Sequence, residues 1–496
     1  MQKGSITVFT SLCMMFVMSA LFIFMEAARM YGLDQICEWK ITQSTECIAA
    51  EYQPYVWQKY HLLMLDGGYG TEEFDIGKMA EKLRYNMEQN TTDQGTGELF
   101  HVRLNAVYQP DYLLLTDQQG EVFLDMIASY MKNNFPAEIA DKLYQRYKGD
   151  TKPNQDPEAI ERTIDDARDL LDRARKENEE KTLENAKEYT EAKKREDNIA
   201  ENPLEIVSEL KKSMRFSAVN VVIQSPEELS RQRVDFIDQM EYRDLEEGTM
   251  SYESMGDWYR KILTVEYADS YFTSYTSKET GHALAYELEY LIGGKPEDRE
   301  NLENVIKRLL AGRLAANVTS LLSDYQKREE VKAVAVTLAG FTGNAAIIKT
   351  VEIAVTGAWA YAESIQDLRR LLDGGKIAFI KSSAQWTTDL LHLTEALKKD
   401  GKAKECTNGF SYQEYLKMLL YQTDENKFAY RMLDIMEQNL MQAAGEQKVR
   451  MDHMIVSFKC KMQYAAEPLF STMSVIKTKD INSYLFYKEK KFTYRL

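Results

Sequence analysis

Ser5 to Met25 reads SITVFTSLCMMFVMSALFIFM, 21 residues without one charged side chain. As a helix this run is about 31 Å long at 1.5 Å per residue, close to the thickness of a bilayer core. A soluble core helix of that length would carry a polar stripe, whereas this one carries only scattered Ser and Thr. Lys3 precedes the run, and Glu26, Arg29, Asp34 and Glu38 follow it. The basic end favours the cytoplasm, so the expectation is a single-pass anchor at residues 5–25, with the N-terminus cytoplasmic and the large remainder extracellular. A cleaved secretory signal would have an apolar stretch of about 7–15 residues and a small-x-small exit. Here the exit is Phe24-Met25-Glu26-Ala27-Ala28-Arg29, a poor cleavage site, and the longer run favours a retained anchor.

Outward from this segment, the 496 residues hold 62 basic and 78 acidic side chains, a net charge of -16, and are 44% hydrophobic. The apolar content is too high for a mainly disordered chain, and the length allows two or three cores of roughly 150 residues. The acidic balance argues against nucleic acid as a partner, because phosphate neutralisation needs a basic face. It also disfavours electrostatic docking onto anionic lipid or wall polymer.

Four regions follow the anchor segment's lead: 1–30 as anchor, 31–149 as a membrane-proximal α+β region, 150–202 as a charged arm, and 203–496 as a mainly helical region with C-terminal strands. In the second, Asp66-Gly67-Gly68-Tyr69-Gly70 reads as a turn, and Phe100, Val102, Leu104, Ala106 and Tyr108 alternate as a strand stopped by Pro110. The arm is opened by Pro153 and Pro157 and closed by Pro203. Ile160, Ile164, Ala167, Leu171 and Ala174 keep a 4-3-4-3 spacing that then fades. Sustained heptads need three or four repeats, so the arm reads as a projecting, solvated helix with one narrow buried seam rather than a coiled coil.

Residues 217–225, SAVNVVIQS, read as a short strand. Val334 to Ala362 is the most apolar later segment. Lys349, Glu352 and the Gly343-Asn344 turn make two packed core helices a better reading than a second membrane pass. Val456, Phe458, Cys460, Met462 and Tyr464 alternate with polar residues, and Tyr484–Tyr487 with Phe492–Tyr494 look extended. These are expected to pair with the strand near Phe100–Tyr108. The fold class is mainly α with a small antiparallel β-sheet (α+β), an N-terminal transmembrane helix and a long charged helical arm.

The chemistry is sparse. Cys13 falls in the anchor. Cys37, Cys47, Cys406 and Cys460 form an even set in a compartment where disulfides persist. Three connectivities exist, of which Cys37–Cys47 with Cys406–Cys460 is the simplest, and free buried thiols are the alternative. His61, His101, His282, His392 and His453 make no metal-ligand spacing, so neither metal nor cofactor is expected. Asp150, Asn154, Asp156 and Glu161 fail as a calcium loop, because Lys152 and Gln155 occupy required positions. Gly374-Gly375-Lys376 lacks the phosphate-loop spacing, and no G-x-S-x-G occurs. Glu287, Glu289, Glu363 and Asp367 cluster. They read as ion pairs with Arg369, Arg370, Lys376 or Lys381 at helix ends rather than as hydrolase acids, which would need to face across a cleft.

Lys3-Gly4-Ser5-Ile6-Thr7-Val8-Phe9 resembles the start of the minor pseudopilins of tight-adherence (Tad) pilus systems. The resemblance implies prepilin-peptidase cleavage between Gly4 and Ser5. The chain departs from that pattern at Phe9, where those proteins have Glu. A wider resemblance, to an uncharacterised family of single-pass proteins from Gram-positive anaerobes often linked with Tad-type pilus genes, is carried by four later segments. These are Ala285-Tyr286-Glu287-Leu288-Glu289-Tyr290-Leu291-Ile292-Gly293-Gly294-Lys295, Asn301-Leu302, Trp359 to Asp367, and Gly375-Lys376 with Ile380-Lys381. Ala50-Glu51-Tyr52 and Tyr60 to Leu63 fit its membrane-proximal pattern. That family has a domain of unknown function, so it implies no activity.

The expected function is non-enzymatic: a membrane-anchored extracytoplasmic structural or assembly protein, an accessory or minor pseudopilin-like part of a Tad-type pilus or secretion apparatus. Its partners would be the membrane, through residues 5–25, and other pilus or secretion proteins, with no small-molecule substrate. The alternatives are a ligand-binding or sensory ectodomain and, last, a wall-modifying hydrolase.

Overall fold

The computed structural model describes residues 2–91, 98–134, 156–182, 202–234, 239–254, 256, 258–394, 398, 401–444, 449–473 and 483–494. The chain divides into two compact units. Unit 1 gathers residues 1–134, 238–257 and 436–496, and unit 2 gathers 135–237 and 258–435. The compositional region 203–496 therefore contributes to both units.

Unit 1 is built on α1, Gln2–Ala49, a single helix of 48 residues. No proline interrupts it, and its internal Gly32 is matched to a neighbour: a Cβ there would lie 2.7 Å from the Phe100 ring. Glu26, Arg29, Leu33, Cys37, Lys40, Ile41, Ser44, Thr45, Ile48 and Ala49 are its buried residues beyond Met25, a stripe at helical spacing. It is followed by α2 (Pro54–Tyr60), α3 (Ile76–Thr91) and α4 (Glu121–Asn134). Met79, Leu83 and Met87 of α3 join the same core as the α1 stripe.

The sheet completes this core. Its centre is β4, Met454–Ala466, whose Val, Ile, Phe and Tyr suit a pleated surface buried on both faces. β1 (Leu65–Asp66) and β5 (Tyr484–Thr493) lie along one edge of β4, with β2 (Arg103–Val107) and β3 (Asp111–Leu114) along the other, all antiparallel. β5 pairs along its whole length, from Thr493 against Ser457 to Tyr484 against Ala466. The expected pairing of the Phe100–Tyr108 strand with the C-terminal strands is thus present as β2 with β4. Lys488 of β5 reaches Asp34 and Glu38 of α1 at 2.9 and 3.5 Å, tying helix to sheet. The excursion 238–257 clips onto this unit: Arg243 makes a bidentate pair with Glu437 at 2.9 Å and also meets Asp452 at 2.6 Å.

Unit 2 is helical among its described residues: α5 (Pro157–Thr182), α6 (Pro203–Phe216), α7 (Ala218–Val222), α8 (Trp258–Tyr271), α9 (Glu287–Gly293), α10 (Asp298–Ser323), α11 (Tyr325–Ala339), α12 (Ala345–Leu372) and α13 (Tyr412–Gln422). The final helix, α14, is Glu425–Ala444. Starts are capped as side-chain chemistry dictates: Asp324 accepts from Gln326 N and Lys327 N, Asn344 accepts from Ala346 N, and Ser411 with Glu414 forms a capping box. From Val351 onward α12 is buried on nearly every side and forms the axis of the unit. The two packed helices expected at 334–362 are α11 and α12, joined where Gly343 takes a φ of 61°.

Two expectations are corrected. Residues 217–225 are not a strand: Ser217 caps α7, and Ala218, Val219 and Val222 face inward at helical spacing. A short apolar run does not by itself separate strand from buried helix. The first half of the arm does not project. Ile164, Ala167 and Leu171 of α5 are buried, and the helix packs on α12 where Gly357 opens a groove. Residues 150–155 and 183–201 of the arm, including Asp150 and Asn154 of the rejected calcium loop, lie outside the described residues.

A Cβ on Gly357 would sit 2.9 Å from Ile160 Cγ2 and 3.3 Å from Ile164 Cγ1. Gly357→Val is therefore expected to lower stability by about 1–3 kcal/mol through overpacking. Thermal unfolding of the full-length chain reads this directly, and an unchanged transition would mean that α5 does not dock on α12.

Candidate functional site

Three features carry chemistry, and α1 is the first. Apart from the half-buried Phe22, the large apolar residues from Ile6 to Met25 are solvent-facing, including Phe9, Phe16 and Phe24. The helix is long and apolar enough to cross a membrane, by length and composition. Gly4 and Ser5 lie in its first turns. The bare stretch ends at Glu26, which is buried, pairs with Arg29 at 2.8 Å, and accepts hydrogen bonds from Leu469 N and Phe470 N. Arg29 in turn donates to the Leu99 carbonyl at 2.5 Å. The sequence reading took Glu26 and Arg29 only as flanking charges, although an i, i+3 pair at the end of an apolar run is a visible signal.

The cysteines are free. Cys37 and Cys47 stand ten residues apart on one continuous helix, about 15 Å by rise, beyond disulfide reach. Cys406 and Cys460 fall in different units. The Cys37–Cys47 half of the simplest connectivity is therefore excluded. Burial pushes the Cys37 and Cys460 thiols up to about 12.

The second feature is a buried polar network in unit 2. Glu363 and Asp367 are one turn apart on α12 and both fully buried. Lys381 bridges them. Glu363 also accepts from Thr387 N and Thr388 N. Asp367 accepts from Arg313 Nε at 3.0 Å and from Asn317 Nδ2 at 2.9 Å. Arg313, buried in α10, spends its other donors on the carbonyls of Ala378 and Phe379, the Tyr415 hydroxyl and Asn317. Burial works against the Asp367 carboxylate, but Arg313 and Lys381 beside it hold it below the usual range.

Of the four expected cation partners, Lys381 is thus found. Arg369 instead donates to the carbonyls of Val221 and Lys398, and Arg370 to that of Ala403. The location differs from expectation as well, being a buried core rather than helix ends. Two carboxylates already neutralised by two cations offer no free acid or base, so this cluster is a scaffold.

The other carboxylates brace backbone. Glu287 accepts from Thr273 N at 2.9 Å and meets His282 Nδ1 at 2.8 Å. Glu289 accepts from Tyr275 N at 2.9 Å and Tyr412 OH at 2.8 Å. Asp298 accepts from Ala285 N and Tyr286 N, and Asn301 brackets Lys295 through both its amide N–H and carbonyl. Burial pushes the Glu289 carboxyl up to about 7. Among the described residues no group of three or more His, Cys, Asp or Glu is arranged to hold a metal ion.

The third feature is an open cleft of about 380 Å³ beside the network, lined by residues of α10, the start of α11 and the 381–386 segment. Trp386 and Trp359 stand edge to face, with ring centroids 5.5 Å apart. Lys327 Nζ lies 4.5 Å from the Trp359 ring centre and 5.0 Å from that of Trp386. Trp359 is fixed by its Nε1–H, which donates to Thr388. Burial pulls the Lys327 ammonium below its ordinary value, against the nearby Glu330, Asp324 and Glu363. Nothing in the sequence singled out Lys327, because its partners are 32 and 59 residues away.

A protein-family model described as a family of unknown function (DUF5702) matches residues 193–466, more than half of the chain, and the chain belongs to that family. Neither a curated protein nor a solved structure matches it. The segments 285–295 and 359–367 fall within the matched range, and they supply Glu287, Glu289, Glu363 and Asp367.

Proposed function

We propose that this family member is a membrane-anchored extracytoplasmic structural or assembly protein, an accessory or minor pseudopilin-like component of a Tad-type pilus or secretion apparatus, and not an enzyme. The observation that carries the reading is the division of α1: apolar and bare to Met25, docked on the sheet of unit 1 beyond it. A helix whose apolar side chains are bare around its whole girth from Ile6 to Met18 suits lipid or neighbouring apolar helices, not water. One uninterrupted helix also couples that environment mechanically to unit 1, as an assembly subunit requires. The internally neutralised carboxylates favour a scaffold over a hydrolase. The cleft at Lys327 favours the second reading, a ligand-binding ectodomain.

The protein is expected to stay with membranes through carbonate extraction, and its large domain to be digested by protease added to wall-stripped cells. Release by carbonate would overturn the anchor, and protection from protease the orientation. A photo-crosslinker at Phe16 is expected to capture a pilus or secretion component. Purified filaments holding this chain at major-subunit abundance would sink the accessory role.

A further inference from the structure

We propose that the cleft between α10, the start of α11 and the 381–386 segment binds an oxyanion, the phosphate or carboxylate group of a small ligand, through Lys327 and Trp386. The argument is an account of donors and acceptors. Three carboxylates at or beside the cleft are already in use. Asp324 takes two α11 backbone N–H groups and the Ser383 hydroxyl. Glu363 takes Lys381 and two backbone N–H groups, and Asp367 takes Lys381, Arg313 and Asn317.

The serine hydroxyls are in use as well. Ser320 donates to Ala316 O, Ser323 to Thr319 O and Ser382 to Gln385.

Two donors are left over. Trp386 is 4% exposed and its Nε1–H has no hydrogen-bond partner. The half-buried Lys327 ammonium, an ion with three donors, is held between two indole rings with no hydrogen bond among the described residues. Burying donors unsatisfied is unfavourable unless something completes them, and a charged donor gains most from an anionic acceptor. The indoles fix the ammonium without consuming its N–H groups, since a cation–π contact uses the ring face. The chain's net charge of -16 opposes anions at long range, but that field is screened beyond about 8 Å in physiological salt. Selection is therefore set locally, where the charges acting on Lys327 are Glu330, Asp324, Glu363 and Lys404.

The test titrates the detergent-purified full-length chain with inorganic phosphate, glycerol 3-phosphate and acetate at constant ionic strength, followed by tryptophan fluorescence and calorimetry. Saturable binding of at least one is expected, preference for the phosphates marking a phosphoryl ligand and preference for acetate a carboxylate. Lys327→Met is expected to weaken binding about tenfold or more, and Lys327→Arg to retain it. Trp386→Phe keeps the six-membered ring but removes the N–H with the rest of the pyrrole ring, and is expected to weaken binding about threefold or more. The inference fails if none of the three anions saturates the native chain at 50 mM. It also fails if Lys327→Met and Trp386→Phe, with unchanged melting, bind as the native chain does.

Discussion

Replacing Lys381 with methionine is expected to destabilise unit 2 by about 3–5 kcal/mol, the range for breaking a buried ion pair by removing one partner. Methionine fills similar space, so the loss is electrostatic rather than a cavity. Glu363 would keep its two backbone donors from Thr387 and Thr388, and Asp367 would keep Arg313, but one buried negative charge would be left without a counter-charge. At about 2–4 °C per kcal/mol for a unit of this size, the melting temperature should fall by roughly 6–20 °C. The double variant Lys381→Met with Glu363→Gln restores neutrality, and is expected to recover more than half of the loss. The two substitutions share a partner, so their effects should not add. A single-variant loss below about 1 kcal/mol, or a double variant no better than the single, would show that the network is not what holds α10, α12 and the 381–388 segment together.

What could be read from the sequence follows from how local each signal is. The α1 anchor segment, the β4 alternation and the helix pair across Gly343-Asn344 are written in runs of neighbouring residues. The partner of the Phe100–Tyr108 strand was identifiable because both strands alternate. β1 and β3 have only two and four residues, too few to show a period, and they exist because β4 offers open hydrogen-bonding positions. The docking of α5 was not visible, because it depends on Gly357 nearly two hundred residues away. The carboxylates Glu287, Glu289, Glu363 and Asp367 were identifiable as a cluster, but their burial was not, since one helical turn of spacing says nothing about what covers the helix. The Lys327 cleft is wholly a product of tertiary structure: its tryptophans come from α12 and from the segment after Lys381, and neither is close in sequence to α11.

Glu289 gives unit 2 a built-in dependence on pH. It is fully buried, faces Tyr275, Tyr412 and Asp298, and makes no salt bridge among the described residues, and burial pushes its carboxyl from 4.5 up to about 7. The folded form therefore prefers the protonated acid. The sign follows: its stabilisation is complete below about pH 4.5, declines as pH rises towards 7, and is gone above it. The span corresponds to about 3 kcal/mol at 1.36 kcal/mol per tenfold change. Glu289→Gln mimics the protonated acid and can still accept from Tyr275 N and Tyr412 OH. The variant is expected to match the native chain near pH 4.5 and to exceed it by about 3 kcal/mol at pH 8.5. Other buried acids, such as Asp298 and Glu266, also titrate upward, so the informative quantity is the difference between variant and native chain at each pH. Denaturant unfolding at a series of pH values measures it. A difference that stays flat from pH 4.5 to 8.5 would mean that Glu289 is ionised in the folded chain, with a counter-charge that its surroundings do not show.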